Sequence, residues 1–348
     1  MKLCPKPGRL SPARKTLVCT LLLVALVSAA PFLCLLPFFG GGTSTQEAPQ
    51  SQAAPTATLP PGAAAAPAIE QDPLLIWDNA EGLLRTVPVV DYLIGSAACE
   101  VPLDWPDDAI RAQMVASHSY ILYRKANADG SNSGAYLAVN SAQNSGWTTN
   151  DVLSSRWGDA YGENYARLAA LAKDVQYRVL LYGDEPAAAC YHAASAGHTE
   201  ASQNVWNEAL PYLQGVESSW DKYADDYEVS IEYTRQQFYD ALAMNLGLTP
   251  EGEPETWLGD TVWDEAGYVQ SIELCGETFT GVKIRSALSL RSACFAIAYA
   301  DGQFVITTRG YGHGVGLSQN GACAMAKGGS TWEEILAYYF PGTTLGVG

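Results

Sequence analysis

Residues 16–39 are almost wholly apolar. That is about the length needed to cross a bilayer, and it restricts everything downstream to one side of a membrane or to release from a leader. Lys2, Lys6, Arg9, Arg14 and Lys15 precede the run, and no acid occurs before Glu47. Such a bias places residues 1–15 in the cytoplasm, makes 16–39 a single-pass anchor of the cell membrane, and leaves the rest extracytoplasmic. A cleaved signal peptide ending near Val27-Ser28-Ala29 is the alternative. The apolar run continues well beyond that site, which favours the anchor. Cys34 follows Leu33 rather than a small residue, a poor lipoprotein site.

Residues 40–71 form a low-complexity linker of Ala, Pro, Gly, Gln, Ser and Thr, too poor in large apolar side chains to fold. As a flexible coil it spans on the order of 30 Å, enough to let a tethered domain search near the membrane. The folded part is expected over 72–348. The net charge is −17, so a nucleic-acid partner, which demands a basic face, is excluded. Five cysteines lie beyond the anchor: Cys99, Cys190, Cys275, Cys294 and Cys323. An odd number cannot all pair, and their spacing is not that of a zinc finger. Buried thiols, one disulfide, or a share in a metal site remain open.

Periodicity gives the outline. Residues 89–99 read as a short apolar helix. Asp104 is a candidate N-cap for the next helix, with Pro106 in its first turn and Asp107 and Asp108 facing the positive end of its dipole. Ile110, Met114, Ser117 and Ile121 then mark one face, running to about residue 125. His118 on this helix reads as a packed histidine. A loop over 129–147 and a helix over 161–173 follow, then a strand over 175–181. Residues 217–260 mix helix with loop. Strands are expected over 267–274, 277–284, 294–299 and 304–308, and a last helix over 331–339. The class is α+β, with a helical first lobe (about 72–260) and a strand-rich second lobe (about 261–348) around a cleft.

The densest signal is Arg309-Gly310-Tyr311-Gly312-His313-Gly314-Val315-Gly316-Leu317-Ser318-Gln319-Asn320-Gly321-Ala322. Alternating glycines open backbone conformations closed to other residues and let a ligand approach the main chain. The competing explanation is a tight turn whose histidine caps a carbonyl. The spacing is not the G-x-G-x-x-G of dinucleotide sites, and Gly316 to Gly321 has one residue too many for a nucleophile elbow.

Taken with Ile284-Arg285-Ser286-x-Leu288-x-Leu290-Arg291-Ser292, Trp332-Glu333-Glu334-Ile335-Leu336 and Tyr339-Phe340-Pro341-Gly342-Thr343, this run resembles the stage II sporulation protein D family. That family is related to the LytB amidase-enhancer proteins. Upstream, Tyr92-Leu93-Ile94-Gly95-x-x-Ala98-x-Glu100-x-Pro102-x-x-Trp105-Pro106 and Ala109-Ile110-Arg111-Ala112-Gln113-x-Val115-Ala116 are similar to its N-terminal signature. The resemblance covers roughly 72–348. It implies a lytic transglycosylase that cleaves the MurNAc–GlcNAc bond of peptidoglycan and closes a 1,6-anhydro ring, with the catalytic glutamate at Glu100.

Glu100 lies among Ala97, Ala98, Cys99, Val101 and Pro102, where desolvation should hold it protonated as a general acid requires. A second carboxylate, usual in glycosidases, is dispensable when the sugar's own 6-hydroxyl attacks. Arg285 and Arg291 are candidates for holding N-acetyl or lactyl groups, and Tyr311, His313, Ser318 and Gln319 for lining the cleft. Some family members bind zinc near the segment represented by Cys190, His192 and His198. Three such groups could form part of a structural tetrahedral site, with no fourth ligand evident. The reaction itself needs no cofactor. The resemblance further implies glycan strands stripped of their stem peptides as substrate. During engulfment in sporulation, the expected partners are a cell-wall amidase and a multispanning membrane protein. Two rivals stand beside this reading: a wall-binding amidase enhancer without catalysis, and a zinc-dependent wall hydrolase centred on His192 and His198.

Overall fold

The computed structural model describes residues 71–128, 134–206 and 208–348. The basic tail, the anchor over 16–39, the alternative cleavage site and the linker up to residue 70 lie outside the described residues. No helix among those described is long and apolar enough to cross a membrane.

The chain opens with a hairpin, β1 (Leu74–Asp78) and β2 (Leu83–Val87). It leads into α1 (Val89–Glu100), whose residues from Tyr92 to Ala98 are all buried. Helix α2 (Asp107–Ala126) packs against α1 and buries Ile110, Met114, Ser117 and Ile121, the face read from the sequence. Asp104 is not its cap. Pro106 occupies that position with no side-chain cap bond, because proline's fixed φ and missing N–H suit the entry to a helix. His118 is packed as expected, its Nδ1 3.1 Å from the Arg178 carbonyl; burial lowers its pKa to about 4.

The expected loop over 129–147 contains a short strand, β3 (Leu137–Val139), parallel to β1. Then come α3 (Asn150–Trp157), which the sequence reading missed, and α4 (Tyr161–Val175). Next is the strand pair β4 (Arg178–Tyr182) and β5 (Glu185–Pro186). Short β6 (Tyr191–His192) and the helical turn α5 (Ser202–Trp206) complete this part of the chain.

The second core begins earlier in the chain than the expected residue 261. Strand β7 (Glu228–Thr234) and helix α6 (Arg235–Leu246), assigned to the first lobe by sequence, belong to it. The sheet β8 (Leu258–Trp263), β9 (Val269–Leu274) and β10 (Glu277–Phe279) follows. The strand expected over 277–284 stops at Phe279. There Thr280 accepts a hydrogen bond from the Lys283 N–H and starts α7 (Gly281–Ala287), as an N-cap threonine does. Strands β11 (Phe295–Ala300) and β12 (Gln303–Arg309) join β7 in a second sheet. Phe238, Trp257 and Phe304 stack at the centre, with ring centroids 4.1 Å (Phe238–Phe304) and 5.5 Å (Trp257–Phe304) apart.

The chain then returns to the first core. Strand β13 (Leu317–Ser318) pairs with β6, and α8 (Gln319–Lys327) and α9 (Trp332–Tyr339) pack on α2. Strand β14 (Thr344–Val347) completes the sheet of β4. The lobes are therefore not divided at 260/261. The second core is inserted between two halves of the first, and the C-terminal segment contributes Val315, Leu317, Ala322, Ile335, Leu336, Tyr339 and Phe340 to the first core. The class is α+β, and all five described cysteines are unpaired.

Candidate active site

Glu100 is the last residue of α1, where the chain turns extended at Val101. The neighbouring Ala97, Ala98 and Val101 are buried, and Glu100 itself is half-buried. Its carboxyl is pushed above the ordinary glutamate value of 4.5, foremost by burial. The negative end of the α1 dipole acts in the same direction. Opposing this, Gln319 Nε2 donates to Oε2 at 3.3 Å, and the Gly146 N–H faces the carboxyl. Among the described residues no other carboxylate acts on it.

Two elements far apart in sequence therefore meet at one carboxyl. Gln319 opens α8, and Ser318, its N-cap, accepts from the Gly321 N–H. The same serine hydroxyl donates to Asp221 Oδ1 at 2.7 Å, while Asp221 Oδ2 accepts from the Ser195 N–H at 2.8 Å. Ser318 is fully buried. Its hydroxyl is committed to a cap and an acid, so the structure corrects its expected role in substrate binding.

The glycine run does not present bare backbone to a ligand. At Gly312 (φ 115°) an added Cβ would lie 2.7 Å from the His192 Cβ, and at Gly316 (φ 74°) 2.3 Å from the Cys190 carbonyl oxygen. The glycines let this loop lie against the protein's own 190–195 segment. His313 is pinned in the same way. Its Nδ1 accepts from the Val315 N–H at 3.1 Å and its ring bonds the Tyr191 backbone. Burial, with Arg285 nearby, lowers its pKa to about 4 and keeps it neutral. Trp206, half exposed, packs against it with ring centroids 5.0 Å apart.

Arg285, Arg291, Tyr311 and His313 gather on one side. The Arg291 guanidinium stacks 4.2 Å from the Tyr311 ring centroid and donates to the Asp226 carbonyl, leaving its buried Nε without a partner. Arg285 is influenced by Tyr311 and Tyr268, and lines a cavity of about 420 Å³ with Val282, Ser286, Ser289 and Leu290. Tyr191 connects this group to Glu100: its backbone bonds His313, and its hydroxyl accepts from Ser117 in surroundings that feel the Glu100 charge.

A zinc ion on Cys190, His192 and His198 does not fit. Cys190 Sγ and His192 Nδ1 both face the Val315 carbonyl, at 3.8 and 3.1 Å, whereas His198 Nδ1 lies 2.8 Å from the Thr199 carbonyl. Burial raises the Cys190 pKa to about 12, a protonated thiol rather than a ligand thiolate. Among the described residues no three His, Cys, Asp or Glu side chains are placed to hold a metal. His192 Nε2 is buried without a partner, and the histidine ring beside it is that of His313, with centroids 5.7 Å apart, rather than His198. The expectation of a structural zinc on these three residues is not met by their geometry.

The sequence reading missed Gln113, a buried amide on α2 that contacts Gln319. The available signal was a polar residue beside the apolar stripe of that helix. It also missed Arg156, which donates to the Ala98 carbonyl near the end of α1.

Comparison with known proteins bears on this geometry directly. Residues 78–182, which include Glu100 and Gln113, match the family model SpoIID, described as "Stage II sporulation protein". Stage II sporulation protein D of Bacillus subtilis (strain 168) is 28% identical over 327 residues, 93% of each chain. Residues 78–182 thus match the SpoIID family model, and the chain is similar to stage II sporulation protein D over nearly its whole length. Stage II sporulation protein D of Bacillus amyloliquefaciens is 27% identical, again over 93% of each chain. An amidase enhancer of Bacillus subtilis is 23% identical over 71% of this chain and 39% of its own. The SpoIID resemblance thus extends well past the matched segment, across both cores and the Gln319 loop.

Proposed function

We propose that this chain is a peptidoglycan lytic transglycosylase of the SpoIID family, anchored in a cell membrane by residues 16–39 and acting outside it. The observation that carries the reading is Glu100: a half-buried carboxyl raised by desolvation and held by one side-chain amide, with no second carboxylate among the described residues acting on it.

That arrangement supports a two-step use of one residue. Protonated Glu100 gives its proton to the glycosidic oxygen as the bond to the MurNAc anomeric carbon breaks. The MurNAc 6-hydroxyl oxygen then bonds to that carbon, and its proton passes to the Glu100 carboxylate. The ring closes, no water is consumed, and Glu100 ends protonated. The Gln319 amide, facing the carboxyl, stabilises the carboxylate between the two transfers. In the proposed reaction Arg285, Arg291 and Tyr311, which lie together, hold the polar substituents of a strand. In this reading glycan strands cleared by an amidase are the substrate, and an amidase and a multispanning membrane protein are the partners.

The test is incubation of denuded glycan strands with the full chain, followed by mass analysis. Anhydro-muramyl ends, one water lighter than hydrolysed ends, are expected. Likeness to an amidase enhancer over 71% of the chain favours a second reading, a wall-binding enhancer without catalysis. Binding of intact peptidoglycan with no cut strands would select it.

A further inference from the structure

Behind Glu100 runs a chain of buried polar side chains that the reaction as described does not use. Gln319 Nε2, already donating to Glu100 Oε2, also donates to Gln113 Oε1 at 3.2 Å. Gln113 Nε2 donates to Ser117 Oγ at 3.1 Å. Ser117 Oγ accepts a second bond from Ser96 Oγ at 3.2 Å and donates to the Tyr191 hydroxyl at 3.4 Å. Ser96, Gln113 and Ser117 are at most 1% exposed, and Gln319 is 7% exposed.

Hydrogen-bond polarity propagates along such a chain. Ser117 accepts from Ser96 and commits its own proton to Tyr191, so Gln113 presents its NH₂ to Ser117 and its carbonyl to Gln319. The Gln319 amide must then turn its NH₂ outward, with one hydrogen for Gln113 and one for Glu100. Reversed, Gln319 would aim a carbonyl at Glu100, which can bond only the protonated acid. The two orientations act oppositely on the carboxyl: NH₂ favours the carboxylate, and C=O favours the acid.

We propose that Gln113 is a positioning residue that fixes the Gln319 amide with its NH₂ toward Glu100, so that the carboxylate formed after the first proton transfer has a waiting donor. The inference rests on the reading of Glu100 as the proton-transferring group. Gln113 acts through Gln319, whose two amide hydrogens are divided between Gln113 and Glu100.

Against burial, this amide is the foremost influence favouring the Glu100 carboxylate. On the helix of Glu100 stand Tyr92 and Cys99, and from β6 comes Tyr191. Burial raises all three, Cys99 to about 12, so none is charged near neutrality. On α2, His118 is held neutral by burial. From α3, the Arg156 guanidinium is engaged by the Ala98 carbonyl. The loop before α3 offers only the Gly146 N–H.

The test compares the full chain with Gln319→Met, Gln113→Met and the double variant, reading two quantities. One is the high-pH limb of strand cutting; the other is the ¹³C titration of the Glu100 carboxyl. A general acid loses activity as pH rises through its pKa, and loss of the NH₂ donor raises that pKa. Both single variants should therefore move the limb and the titration midpoint to higher pH. We expect kcat to fall about tenfold in Gln319→Met and several-fold in Gln113→Met, the scale of one hydrogen bond to a charged group. The double variant should match Gln319→Met alone, because the two act through one amide. A Glu100 midpoint unchanged in Gln113→Met, or shifts that add in the double variant, would overturn the proposal. Should Gln113→Met not fold, Ser117→Ala removes the acceptor that orients Gln113. It is expected to shift the midpoint in the same direction by less, and an unchanged midpoint counts against the proposal. If the wild-type chain cuts no strands, the titration still decides the orientation claim, so failure of the enzymatic reading is seen separately.

Discussion

Two carboxyls meet the start of helix α8, Glu100 through Gln319 and Asp221 through Ser318, and their surroundings differ in kind. Asp221 is fully buried and accepts from the Ser318 hydroxyl and the Ser195 N–H, with further help from Ser218. Glu100 is half-buried and has one side-chain amide at 3.3 Å and the Gly146 N–H. Burial pushes both pKa values up. An acid walled in by donors ties segments together, whereas one left partly unsatisfied beside solvent can exchange a proton with a ligand. Adjacent residues of one helix start thus serve a structural acid and, in the proposed function, a reactive one.

The comparison breaks most sharply under substitution of the reactive acid. Glu100→Gln keeps shape and hydrogen-bonding capacity but removes the transferable proton. Strand cutting should fall by about 10²–10⁴, the usual worth of a general acid–base group, while the thermal midpoint stays or rises. Asp221→Ala should do the reverse. It strands the buried Ser195 N–H and frees Ser318, at a cost of roughly 3 kcal/mol in urea unfolding, and any residual folded protein should still titrate Glu100 above the ordinary range. Ser318→Ala removes an N-cap and one donor to Asp221, for about 1–2 kcal/mol. A substrate-binding role would instead leave stability alone and raise KM.

The smallest effect concerns pH. A carboxyl whose folded pKa lies above its unfolded value favours folding while protonated, and this contribution is lost as pH rises from about the unfolded 4.5 through the folded value. Glu100→Gln should therefore match wild type in urea at pH 4 and exceed it at pH 8. Equal midpoints at both pH values would mean that Glu100 is not desolvated.

Local pattern made parts of this arrangement legible in the sequence. Helix α1, the buried stripe of α2 and helix α9 follow from periodicity, and Thr331 with Glu334 forms the capping box that starts α9. Glu100 was singled out by the family resemblance, and its apolar setting was legible because its near neighbours in sequence are also buried around it in space. Strand β7 was hidden because its partner lies far along the chain: Glu228 faces Arg309 and Thr234 faces Gln303. Its alternation was therefore unreadable without the second sheet. Helix α7 was read as strand because Val282 and Ile284 favour strands locally, while Thr280 decides for a helix. The glycine run was seen, but the occupant of the space it opens was not; residues 190–195 fill it. Gln113 and Gln319 are 206 residues apart, and no local signal joins them. The same holds for the lobe boundary, which depends on the C-terminal segment returning to the first core.

The central claim concerns one carboxyl, and the most direct measurement is its own titration. With glutamate side chains ¹³C-labelled in the full chain, and Glu100 assigned by its loss in Glu100→Gln, the account predicts a midpoint above 4.5 that coincides with the high-pH limb of strand cutting. A midpoint at or below 4.5, or a cutting rate indifferent to it, would contradict the account.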